Sequence, residues 1–197
     1  MTVKLKGRIK FFNVKKNFGY IVTADKKEIR CTRENFEGPP LSEKYEEEVY
    51  YLLTRNGSRE QISEIESPYA YYFKNNVLRL DDCDYDEFCD TALEYAKKLR
   101  GPNPIKDPEV TTSMIRKVYD QIMRAKSISE LKRLRPQFAY LAGRNANKPR
   151  VGELMHILDY LVKHAKSRGE NDALHLQYIQ QFMEAIVAYL KYAEEEK

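Results

Sequence analysis

The 197-residue chain has no tryptophan, only three cysteines and three histidines, and eight glycines. Cys31, Cys83 and Cys89 are too few and too scattered for a disulfide framework. Cys83 and Cys89 stand six apart, but no second pair follows to complete a zinc site, so the thiols read as reduced and mostly buried. The longest unbroken apolar run, Ala185 to Leu190, falls far short of the roughly 20 residues that span a bilayer. Lys4, Lys6, Arg8 and Lys10 interrupt the opening residues, where a secretory signal needs an apolar stretch. These absences predict a soluble, cytoplasmic chain with no membrane partner.

Catalytic patterns are lacking as well. There is no Walker-type glycine-rich loop, no Gly-x-Ser-x-Gly and no His-Glu-x-x-His. His156 and His164 are eight apart on one predicted helix without a carboxylate to complete a metal pair. Asp81, Asp82 and Asp84 stand where a helix begins, which suits N-terminal helix charge better than a magnesium site. The expectation is a non-enzyme with no metal and no cofactor.

What the sequence does have is charge, unevenly placed. Residues 1–36 carry a net +7, residues 37–67 a net −5 and residues 68–100 a net −2. Residues 101–168 return to +8, and residues 169–197 close at −4. Two basic blocks separated by acidic flanks point to polyanion contact at two places.

The hydrophobic period also changes along the chain. Val3, Leu5, Gly7, Ile9 and Phe11 alternate with Lys4, Lys6, Arg8 and Lys10, the period of a half-buried strand. Phe18 to Val22 and Glu28 to Thr32 read as two more strands, and Gly38-Pro39-Pro40 as a loop. Glu48 to Thr54 and Gln61 to Ile65 flank Asn56-Gly57, a hairpin signal. Five short strands in so few residues suggest a small closed barrel. Ser67-Pro68 opens a tyrosine-rich connector, and from Asp84 the period is helical.

On the first helix Phe88, Ala92, Tyr95, Ala96 and Leu99 share a face, and Gly101-Pro102 ends it. Ile115, Val118, Tyr119, Ile122 and Met123 form the next stripe. Ser129 is placed as the cap of a third helix running through Ala142. Asn147 with Pro149 starts a fourth, with Leu154, Ile157, Leu158, Leu161, Val162 and Ala165 inward. Asn171 is placed as the cap of the last, with Ile179, Phe182, Met183, Ile186, Val187 and Leu190 inward. Tyr140 and Tyr189, aromatics at helical spacing, are assigned to the core.

The segments Lys6-Gly7-Arg8-Ile9-Lys10-Phe11-Phe12-Asn13 and Lys16-Asn17-Phe18-Gly19-Tyr20-Ile21 resemble a cold-shock domain. The second matches that family's ribonucleoprotein motif, Lys-Gly-Phe-Gly-Phe-Ile, except at Asn17 and Tyr20. Phe11 stands where the family has tryptophan. Ile29-Arg30-Cys31-Thr32-Arg33 aligns with the second motif, so Arg30 and Thr32 replace its outward aromatic and histidine. The resemblance covers roughly residues 3–66 and implies an OB-type barrel that binds single-stranded nucleic acid. Phe18 and Tyr20 are two apart and share a strand face, where each stacked base is worth about 1–3 kcal/mol. Phe11 can stack, Arg30 can stack or meet phosphate, and Lys10 and Lys16 are near enough in sequence to meet phosphates.

Three signatures mark the helical half: Thr111-Thr112-Ser113-Met114-Ile115-Arg116-Lys117, Arg135-Pro136-Gln137-Phe138-Ala139-Tyr140-Leu141-Ala142-Gly143-Arg144, and Phe182 to Tyr192. In this order and spacing they resemble the small helical subunit of type III-A CRISPR effector complexes, the Csm small subunit, from about Tyr85 to Tyr192. The resemblance implies a non-catalytic bundle, present in several copies beside backbone and large subunits, lining the channel where guide RNA pairs with target RNA. It makes Arg116, Lys117 and Arg144 the RNA-contacting positions, and Arg124, Lys132 and Arg133 extend the same basic block.

The sequence thus predicts a two-domain protein. A five-stranded OB-type, cold-shock-like β-barrel occupies residues 1–67, a connector 68–83, and an all-α bundle of about five helices 84–197. The function implied is RNA binding within a CRISPR interference complex. Two other readings stand beside it: a free-standing RNA chaperone whose helical domain dimerises, and a scaffold whose basic patches face acidic protein.

Overall fold

A computed structural model describes residues 4–40, 47–56, 59–166 and 171–195. Its contacts divide the chain into two units, residues 1–71 and 72–197, each with its own core.

The first unit is an antiparallel sheet of five strands, β1 (Leu5–Asn13), β2 (Phe18–Thr23), β3 (Glu28–Cys31), β4 (Glu48–Asn56) and β5 (Arg59–Glu66), in the order β3-β2-β1-β4-β5. The sheet curls into a half-barrel, and a bridge between Phe36 and Ile65 ties the segment after β3 to β5. Asn56 faces Arg59 across the β4–β5 hairpin; Gly57 of the expected turn lies outside the described residues.

The alternation expected for β1 is broken by one residue. Ile9 pairs with Ile21, but the next pairing is Phe11 with Tyr20, so Lys10 is an extra residue, a β-bulge. A one-residue slip exchanges the faces of everything beyond it. Phe12 therefore joins Ile9, Ile21, Cys31, Val49, Tyr51, Ile62 and Ile65 in the core, while Phe11 turns outward. Leu5, expected inward, is exposed, and Val3 lies outside the described residues. Gly19 sits opposite Phe12, where a Cβ would come within 2.3 Å of the Phe11 carbonyl oxygen and 2.9 Å of Phe12 Cα. No other residue fits that approach.

At the sheet's rim, Lys4 donates to Glu66 at 2.6 Å and to Glu37 at 3.2 Å. Burial pulls its pKa down, but the bond and charge of Glu66, with those of Glu37, more than reverse this and leave it raised. Cys31 is buried, and that burial pushes its thiol up to about 11, which suits an inert core residue. Cys83 and Cys89 are only half-buried, which corrects the expectation of mostly buried thiols.

Residues 68–82 are helical. Ser67 caps α1 (Pro68–Asn76) by accepting the Ala70 N–H at 3.1 Å, and a 3-10 segment, Val77–Asp82, follows. In the second unit Phe73 is fully buried against Phe182 (ring centroids 4.9 Å), Tyr95 (5.3 Å) and Phe88 (6.4 Å).

That unit continues with α2 (Tyr85–Leu99), α3 (Thr112–Arg124), α4 (Ile128–Lys132), α5 (Arg135–Arg144), α6 (Pro149–His164) and α7 (Asn171–Glu195). Asp84 caps α2, accepting from the N–H groups of Asp86 (3.0 Å) and Glu87 (3.3 Å). The helix ends at Gly101, whose φ of +78° only glycine adopts without strain. The stripes read from the sequence are largely the core, although Tyr119, Met123 and Val187 are half-buried.

The expected third helix is two. Ser127, not Ser129, caps α4 by accepting from the Glu130 N–H at 3.2 Å, and the chain turns at Arg133 and Leu134 before α5. Pro136 explains the break: in a continuous helix its ring would collide with the Lys132 carbonyl, whereas in the first turn of α5 its missing N–H costs nothing. Pro149 opens α6 as expected, but the cap position is Lys148 rather than Asn147, with no side-chain cap bond. α7 begins at Asn171; the residues before it lie outside the described set.

Two outcomes follow. Phe73→Ala should lower unfolding free energy by about 3–5 kcal/mol in denaturant titration, the usual cost of emptying a buried phenylalanine site. His175 accepts the Lys166 N–H on Nδ1 at 2.9 Å, and burial, reinforced by the Lys166 charge and opposed by Asp172, holds its pKa below 6.5. The unfolded chain therefore takes up that proton first, so the contribution is complete above about pH 6.5 and shrinks as pH falls below it. The urea midpoint should drop between about pH 7.5 and 5.5, and His175→Gln should flatten the change.

Candidate nucleic-acid interfaces

Each unit brings some of the candidate residues together on its surface. On the sheet, the bulge at Lys10 brings Phe11 beside Phe18 (5.7 Å, edge-to-face) and Tyr20 (5.6 Å), with Phe18 and Tyr20 6.4 Å apart. All three rings are half-buried, packed at their edges. Arg30, opposite Tyr20 on β3, holds its guanidinium 5.6 Å over the Phe18 ring. Lys10 is ion-paired to Glu28 at 2.5 Å. Lys16 lies exposed in the β1–β2 turn, its backbone N–H donating to Asn13 Oδ1 at 2.9 Å. The fold thus gathers five of the six residues proposed for this face, with Lys16 in the adjoining turn.

Asn17, one of the departures from the cold-shock motif, has φ +50°. Glycine and asparagine both tolerate that left-handed conformation, so the exchange leaves the turn intact. The Asn17 side chain also accepts from the Arg33 N–H at 2.8 Å and donates to Glu34 at 3.3 Å. The Arg33 contact, just past Thr32, ties the end of β3 to the β1–β2 turn.

In the helical unit a groove of about 650 Å³ runs between α3 and α5. Lys117 and Arg144, from two separate sequence signatures, both line it. Met114, Val118 and Leu141 give it an apolar floor, and Gln137 and Asn145 add amides. Tyr140, assigned to the core by its spacing, is 67% exposed and lines the same groove, a correction. The short α5 buries only Phe138 fully, so its stripe is too narrow to claim the tyrosine. A low-amphipathicity helix beside a basic signature was the available signal. Tyr189 is half-buried.

The other basic residues fall elsewhere. Arg116 is exposed but stands about 100° around α3 from its neighbour Lys117. Arg124 is exposed two turns beyond Lys117 on roughly the same side. Lys132 is half-buried at the end of α4, and Arg133 is exposed in the turn that follows. Arg135 donates from two of its three guanidinium nitrogens, Nε and Nη2, to Asp159 at 2.7 and 3.0 Å, which raises its pKa and commits it to holding α5 on α6.

His156 meets Lys74 at 3.1 Å, and His164 stacks on Tyr160. Among the described residues no group of three or more His, Cys, Asp or Glu side chains is placed to hold a metal ion. No helix among them is long and apolar enough to cross a membrane.

The described elements of the second unit are all helical. A family model, Csm2 Type III-A, matches residues 82–196. That is more than half of the chain, and the chain belongs to the Csm2 type III-A family. It is accordingly a small structural subunit of the type III-A CRISPR complex, acting with that complex's other subunits. Comparison with curated proteins finds no match.

Asn17→Ala should cost about 1–2 kcal/mol, the penalty of a Cβ in the left-handed region. Asn17→Gly should recover much of it, as read by urea denaturation of the full chain.

Proposed function

We propose that this subunit steadies RNA in the effector complex through the α3–α5 groove, without catalysing a reaction of its own. The observation that carries this reading is the convergence of Lys117 and Arg144 on one groove from separate signatures. Two cations on facing helices suit a phosphate backbone, which they position without reading its sequence. Tyr140 supplies a stacking surface between them. Arg116, Arg124, Lys132 and Arg133 extend the positive field outside the groove. The RNA is the guide paired with its target, and the partners are the backbone and large subunits and further copies of this chain, in the cytoplasm.

The sheet adds a second site. Phe11, Phe18 and Tyr20 form the stacking platform for single-stranded RNA that the cold-shock resemblance implies, with Arg30, Lys10 and Lys16 around it. On this reading the chain comprises an OB-type barrel over 1–67, a connecting segment over 68–83 and the bundle over 84–197.

In the reconstituted complex, Lys117→Ala with Arg144→Ala should weaken target-RNA capture about tenfold at moderate salt and lower the salt slope by about one per lost contact. Arg116→Ala should do less, because it points away from the groove. Normal capture by the double variant, with unchanged helical circular dichroism, would sink the groove assignment.

A further inference from the structure

The outer face of the sheet holds a group that a nonspecific RNA platform does not need. Glu28 stands on β3 opposite Val22, one outward position from Arg30, which is opposite Tyr20. Lys10, the bulged residue of β1, reaches across β2 to bond Glu28 Oε1. The ion pair therefore bridges the strand that carries Tyr20 and borders the three aromatic rings. Both partners remain about half exposed, at 49% and 46% of their side chains.

Such an exposed pair adds little to stability. A carboxylate beside a phosphate-binding surface also repels the backbone it serves. Its use lies in what it accepts. Lys10 takes one site on Oε1, leaving Oε2 and the remaining lone pair of Oε1 to receive donors.

Among bases stacked on the platform, guanine alone offers two parallel donors on its Watson–Crick edge, N1–H and the N2 amine. Adenine and cytosine each place an acceptor next to their amino group, and uracil flanks its single N–H with two carbonyls. A carboxylate accepts both guanine donors at once and meets an acceptor on every other base.

We propose that Glu28, oriented and charge-balanced by Lys10, is the specificity-determining residue of the sheet and selects guanine in single-stranded RNA. This rests on the reading of Phe11, Phe18 and Tyr20 as a stacking platform. Lys10 holds the carboxylate by its 2.5 Å ion pair, and Arg30, the next outward residue of β3, lies over the Phe18 ring.

The test is fluorescence anisotropy of the full chain with short labelled oligouridines carrying one central guanosine, inosine, adenosine or uridine. Guanosine should bind about tenfold tighter than adenosine or uridine. Inosine, which lacks the N2 amine, should fall between. Glu28→Gln should remove the guanosine advantage while leaving oligouridine binding equal or stronger, because a charge that repels phosphate is gone. Equal affinity for all four oligonucleotides, or a guanosine preference that survives Glu28→Gln, would overturn the proposal. The control is Phe18→Ala with Tyr20→Ala. If that variant loses oligouridine binding while the wild type shows no base preference, the platform stands and only Glu28's role falls. If it binds as well as wild type, the platform itself is wrong and the proposal goes with it.

Discussion

α7 grips α3 at both ends, and the placement of the basic groove follows from that grip. At the start of α3, Glu194 accepts from the Thr112 N–H and hydroxyl, each at 3.0 Å. At its end, Gln180 donates to the carbonyl oxygens of Ile122, Met123 and Ala125. Helix ends otherwise leave polar groups unpaired, so satisfying both from one neighbour fixes position along the axis as well as rotation about it. The same helix supplies Asp172 to the Ile128 N–H at 3.1 Å and the Ala193 carbonyl to Arg100. Ile115, Val118 and Ile122 then face inward, which turns Lys117 and Met114 outward toward α5.

In the sheet the corresponding constraint is the register. The bulge at Lys10 spends one residue to exchange Phe11 and Phe12 between faces. Phe12 fills the core, Phe11 completes a triangle of rings, and Gly19 provides the space that lets the two strands approach. A regular strand would have placed Phe11 inside and left Phe18 and Tyr20 without their third ring.

The helical core was legible because helix stripes repeat the same demand many times: Leu154, Ile157, Leu158, Leu161 and Val162 all point inward along α6. Single-residue events were not. One bulged lysine and one proline at the wrong place for a long helix carry no periodic signal, yet they moved Phe11 to the surface and split the third helix. The cap of α4 shifted from Ser129 to Ser127 for a related reason: two serines separated only by Ile128 offer the same chemistry, and only the turn decides between them. The helix after Ser67 was not legible because its run of tyrosines hides the inward position of Phe73, which sits among rings from α2 and α7. At the candidate sites, charge and motif single out Arg116, Lys117 and Arg144 alike, and only the fold separates Lys117 and Arg144, which line the groove, from Arg116, which does not. Tyr140 was assigned to the core because a short helix with one fully buried residue shows too little pattern to say which side is wet.

The two walls of the groove belong to different helix pairs, α3 lying along α7 and α5 along α6. The spacing between Lys117 and Arg144 is therefore a joint between two stiff beams rather than a property of either wall. On the proposed reading, an RNA strand seated there would act as a shim. A change in packing where the beams meet, far from any cation, alters the gauge of the groove, so variation in the core is read out at the surface as a change in fit.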